Sequence, residues 1–91
     1  MNKEYIIEQL ETIEKAINEP IIFEYLDVVV NKLIDYIVTE LNKIYIEARI
    51  YKSIRNSLQA IKNLTVLTII MDTRKDIKIY LNDIKESLKR I

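Results

Sequence analysis

Glu4, Glu8 and Glu11 recur at spacings of four and three, which on a helix aligns three carboxylates along one face. A row of that kind binds a hard divalent cation when a second acidic helix faces it, and Glu24, Asp27 and Asp35 are available for the part. A magnesium-dependent hydrolase built on Glu8, Glu11 and those acids is the catalytic option. A solvated acidic face explains the same spacing with fewer assumptions, so no catalytic residue and no metal ligand is assigned.

The bases give a second signal. Arg49, Lys52 and Arg55 lie close together, and Lys62, Arg74, Lys75 and Lys78 extend the set into a candidate nucleic-acid patch. Formal net charge is zero, yet residues 1–47 carry ten acids and four bases while residues 48–91 carry four acids and ten bases. Acidic early helices packing beside basic late ones account for that division. An acidic partner for the basic half is the sharper alternative, although zero net charge is poor for non-specific phosphate binding.

Other chemistries are excluded by composition. The chain has no cysteine, no histidine and no glycine. Thiolate nucleophiles, disulfides, Cys- or His-ligated metal, the commonest general base and glycine-dependent phosphate loops are therefore all absent, and no cofactor is expected. Six tyrosines against one phenylalanine suit positions where one end of the ring is buried and the other wet. Tyr25, Tyr36, Tyr45 and Tyr51 fall on the central segment. Tyr45 and Ile46 lie off its main apolar seam beside Arg49 and Lys52, and these four residues form the candidate partner-binding site.

The elements that must position these groups read as helices. The 91 residues make one domain, residues 1–91, small enough for oligomerisation or a partner to help stabilise it. Ile6, Leu10, Ile13 and Ile17 give residues 2–18 a single apolar seam, with Asn2 as N-cap, and Asn18-Glu19-Pro20 ends that helix. A second helix begins at or just before Pro20. Residues 21–38 are apolar on a broad arc, yet Glu24, Asp27, Lys32 and Asp35 interrupt them too often for a membrane span.

A near-heptad seam, Ile37, Leu41, Ile44, Ala48, Tyr51, Ile54, Leu58 and Ile61, continues past the place where a bundle needs a turn. Two outcomes follow: a reversal between Asn42 and Asn56, giving four helices, or one unbroken helix to about Asn63 that demands a dimer. Residues 64–71, LTVLTIIM, read as a buried helical segment, with a buried strand as the alternative. Thr73 and Asp76 form a capping-box-like pair, Asp72 is an alternative N-cap, and Ile77, Leu81, Ile84, Leu88 and Ile91 give the last helix its seam.

The expected fold is all-α: a small antiparallel bundle of three to four helices with a long apolar central helix. The expected function is a non-catalytic accessory or adaptor subunit that docks on a larger protein or on a copy of itself, a dimer being the natural oligomer. A small nucleic-acid-associated accessory factor of a replication or transcription machine, using the basic later half, is the alternative. Glu4, Glu8, Glu11 and Glu14 break any secretory leader pattern, so a cytoplasmic protein with no membrane association is expected. Nineteen isoleucines suit a thermophile or an AT-rich genome.

Overall fold

A computed structural model of the chain describes residues 3–19, 25–68 and 70–91. Among them lie four helices, α1 (Lys3–Asn18), α2 (Leu26–Leu41), α3 (Ala48–Leu67) and α4 (Arg74–Leu88), and no strand. The expected Asn2 cap and the start of the second helix at Pro20 fall outside the described residues.

Each helix packs on its neighbour in the chain, α1 closes the ring against α4, and the diagonal pairs do not meet. Short connections make consecutive helices antiparallel. The closing pair runs antiparallel too, since Lys3 at the start of α1 hydrogen-bonds the carbonyl of Ile91 beyond the end of α4. The result is a square bundle 37 Å long and 19 by 16 Å across. A helix of 15 to 20 residues, about 22 to 30 Å at 1.5 Å per residue, spans most of that length.

The apolar seams meet along the bundle axis. Ile6, Leu10, Ile13 and Ile17 of α1 join Leu26, Val30, Leu33, Ile34, Ile37 and Leu41 of α2, Ile54, Leu58 and Ile61 of α3, and Ile77, Leu81, Ile84 and Leu88 of α4. Spacings of three and four put each set on one helical face, and burying those faces is the main force assembling the bundle.

The long central helix is broken. After Leu41 the backbone tightens, with Lys43 N donating to the Glu40 carbonyl at 3.1 Å and Ile44 N to that of Leu41 at 3.2 Å, and residues 45–47 leave the helix before α3 begins. Two features cause the break. Ile44-Tyr45-Ile46 alternates half-buried, exposed, half-buried, the period-two pattern of extended chain, and its residues are β-branched or aromatic. Asn42 then fastens the reversal, its side-chain oxygen accepting from the Tyr51 hydroxyl at 2.7 Å. Folding back also lets Leu41 and Ile54 share one core, which an unbroken helix could not bury within a single chain. The route to a dimer through that long helix is accordingly absent.

A chain without glycine must end its helices without the left-handed residue that commonly caps them. No described residue has positive φ, and Asn42, Thr68 and Lys89 at the three described C-caps all stay in the right-handed helical region. Backbone N–H groups of the following residues satisfy the freed carbonyls at the ends of α2 and α4, and at the α3–α4 turn threonine hydroxyls join them.

Candidate interaction surface

The α3 seam runs Ile54, Leu58, Ile61 and, three or four residues further on, arrives at Thr65 and Thr68. Both threonines are buried. Thr65 Oγ1 donates to the Ile61 carbonyl at 2.7 Å, the i to i−4 back-bond open to a helical hydroxyl. Thr73, only 2% exposed, reaches back across the turn and donates from Oγ1 to the Leu64 carbonyl at 2.8 Å. Thr68 Oγ1 lies 2.7 Å from Thr73 Oγ1 and 3.1 Å from the same carbonyl. Main-chain bonds from Ile70 N and Met71 N to the Leu67 carbonyl, at 2.9 and 3.0 Å, tighten the loop around this cluster.

Leu64 packs against the core, but four large apolar residues of the same segment face the other way. Val66 and Leu67 lie on the outer side of α3, Ile70 is 82% exposed and Met71 58%. The turn is inside out at its described residues: the hydroxyls of Thr65, Thr68 and Thr73 are buried and hydrogen-bonded, while Val66, Leu67, Ile70 and Met71 stand in water. Residues 64–71 are therefore not a buried helical segment. Helical phase decides the outcome, because the core-facing register falls on Thr65 and Thr68 and leaves the aliphatics at 66 and 67 outside.

Thr73 and Asp76 do not form the expected capping box, since the Thr73 side chain makes no bond to the first turn of α4 and serves α3 instead. Asp72 takes the task. Its Oδ1 accepts the Arg74 backbone N–H at 3.1 Å, an Asx-turn, and its two oxygens grip the Arg74 guanidinium at 2.9 and 2.8 Å. Those hydrogen bonds hold the Asp72 carboxyl well below the usual carboxylate range and raise Arg74 in turn.

The basic residues do not form one patch. Arg49 and Lys52 border a shallow groove between α3 and α4, with Ser53, Asn56 and Tyr80. Arg55 and Lys62 line the opposite flank of α3, against Ile34, Asp35 and Val38 of α2. Arg55 is further tied to Tyr51, donating to its hydroxyl at 3.2 Å with the guanidinium 5.9 Å from the ring centre. Arg74 and Lys75 open α4 at the far end of α3 from Arg49, about 30 Å away, and Arg74 is committed to Asp72. Lys78 is half-buried one turn further on.

The division of charge is met in part between neighbouring helices. Acidic α2 borders basic α3 where Asp35 shares a groove with Arg55 and Lys62, and acidic α1 borders α4 where Lys85 pairs with Glu14 at 3.5 Å. Glu14 of α1 and Asp35 of α2 consequently look toward different neighbours. Among the described residues no three carboxylates gather to hold a metal ion, and Glu24 lies outside them.

Tyr45 and Ile46, expected to act together, are separated by their alternation. Tyr45 is 95% exposed in the α2–α3 connection, while Ile46 packs against the core. A charged residue at 46 would damage the fold as well as any interface, so only Tyr45 of that pair is free to anchor a partner. Among the described residues, no helix is long and apolar enough to cross a membrane. Compared with protein-family models, curated proteins and solved structures, the chain matches none, and the interaction surface is defined by its geometry alone.

Proposed function

We propose that this chain is a non-catalytic protein-binding module, an accessory or adaptor subunit, and that it docks through the α3–α4 turn. The carrying observation is the inverted turn, in which Thr65, Thr68 and Thr73 fix the backbone from within while Ile70 and Met71 are presented to solvent. Scattered single apolar residues on a surface need no explanation; a held cluster of them does. Anchoring from below keeps the turn in one conformation before a partner arrives, which reduces the ordering cost of binding. A cytoplasmic location belongs to the same proposal.

Affinity capture of the tagged chain from native extract, run beside an Ile70→Asp, Met71→Glu variant, tests the reading. One larger protein recovered in stoichiometric amount with the wild-type chain, resistant to nuclease and absent from the variant, is the expected outcome. Equal recovery by both proteins would remove the turn as the docking site.

The nucleic-acid reading retains one supporting observation: α3 carries four bases and no acid, and Arg49 and Lys52 stand exposed on its outer side. Nuclease-sensitive recovery in the same experiment, weakening steeply with salt, would favour it.

A further inference from the structure

We infer that the groove between α3 and α4 binds a small phosphorylated molecule with a hydroxylated body, of the sugar-phosphate or nucleotide class; the site is separate from the apolar turn and goes beyond the protein-binding reading. The register of α3 builds it. Arg49, Ser53 and Ser57 follow one another at intervals of four, Lys52, Asn56 and Ala60 do the same beside them, and the two rows share one helical face. The short side chains at 53, 57 and 60 leave the space above α3 unfilled, and Tyr80 of α4 borders its other side. The groove measures about 500 Å³, within the size range of small-molecule sites.

Ser57 indicates a polar ligand. The residue is only 8% exposed, yet its hydroxyl has no hydrogen-bond partner among the described residues, whereas buried Thr65, Thr68 and Thr73 are all bonded. Among those residues no side-chain oxygen or nitrogen is fully buried without a partner, so the Ser57 hydroxyl opens onto the groove that it lines. A hydroxyl held at the floor of a groove and left unpaired by its own chain is a donor and an acceptor for a bound molecule.

Charge places the anionic group. Arg49 and Lys52 stand at one end of the groove, and neither enters an ion pair among the described residues, whereas Lys15, Lys43, Arg74, Lys85 and Lys89 all do. A guanidinium and an ammonium one turn apart supply the fork and the point charge that phosphate oxygens accept from. The nearby acids lie outside this lining: Glu47 is the N-cap of α3, and Asp76 and Asp83 line the next hollow, beyond Tyr80. The phosphate therefore sits at the Arg49 end, and the body of the molecule runs toward Tyr80 over Ser53, Asn56 and Ser57, which offer hydroxyl and amide groups. Arg55 and Lys62 line the opposite flank of α3, so the cations of this groove serve one phosphate and not a strand of them.

Titration of the isotope-labelled full chain with ribose 5-phosphate to about 20 mM at constant ionic strength, followed by amide chemical shifts, tests the assignment across the range of weak affinities. Saturable shifts are expected at Lys52, Ser53, Asn56 and Ser57, with ribose alone and inorganic phosphate alone each binding at least about tenfold more weakly. Lys52→Gln should raise the dissociation constant about tenfold and Ser57→Ala about fivefold, while Lys62→Gln, on the opposite flank, leaves it unchanged. Ser57→Ala strands no buried group, so its urea midpoint should match wild type. Absence of saturable shifts at these residues overturns the inference, as does a loss for Lys62→Gln equal to that for Lys52→Gln, which would mean diffuse attraction to bases. Stronger shifts of the same residues with a single-stranded oligonucleotide that has no terminal phosphate would make the groove a nucleic-acid contact and overturn the small-molecule assignment.

Discussion

Leu81→Ala is expected to lower the stability of the bundle by about 3 kcal/mol, whereas Ile79→Ala, two positions earlier on the same helix, changes it by less than about 0.5 kcal/mol. Leu81 is fully buried on the α4 seam between Ile77 and Ile84, where truncation leaves a cavity that the surrounding helices cannot collapse to fill. Ile79 points outward and is more than half exposed. A domain of this size has a total stability on the order of 5 to 10 kcal/mol, so the loss at 81 removes a large share of it. Urea denaturation followed by far-UV circular dichroism reads both variants. Equal effects at the two positions would mean that α4 presents a different face to the core.

Thr73→Val is expected to cost about 2 kcal/mol, although valine keeps the shape of threonine. No cavity forms. The cost lies in the Leu64 carbonyl and the Thr68 hydroxyl, which lose a partner at a site that is 2% exposed at residue 73. Thr73→Ser, which keeps the hydroxyl and removes a methyl, should cost about 1 kcal/mol or less. The order of the two variants is the informative result, since a larger loss for serine would make packing, and not the hydroxyl cluster, the holder of the turn.

That cluster also shows where the sequence is legible and where it is not. The seams of α1 and α4 are regular, so Ile6 to Ile17 and Ile77 to Leu88 were readable as core from spacing alone. Ile54, Leu58 and Ile61 were equally plain. Extending that seam by three and four residues points to Thr65 and Thr68, a signal present in the chain but masked by the run of aliphatics around it. Hydrophobicity suggests that residues 64–71 are buried, whereas helical phase puts Val66 and Leu67 outside and the turn beyond them exposes Ile70 and Met71.

The break after Leu41 was harder to place because Ile44, Ala48 and Tyr51 continue a near-heptad spacing across it. Spacing cannot distinguish a helix that continues from one that folds back and resumes in register. The tie is broken by the alternation at Ile44, Tyr45 and Ile46 and by the Tyr51 to Asn42 hydrogen bond, which joins residues nine apart. The same alternation explains why Tyr45 and Ile46 do not share a surface. The spread of the bases likewise needed the fold: Arg49 and Arg74 look like parts of one patch only until α3 is laid between them.

The central claim is that Ile70 and Met71 belong to a binding surface and not to the core. The most direct test is the urea midpoint of the Ile70→Asp, Met71→Glu variant beside wild type and Thr73→Val, at about 1 μM, where weak self-association is negligible. A midpoint within error of wild type for the double variant, together with a clear drop for Thr73→Val, is the expected result; a drop in the double variant as large as that of Thr73→Val would place the two side chains among the residues that hold the fold together and contradict the claim.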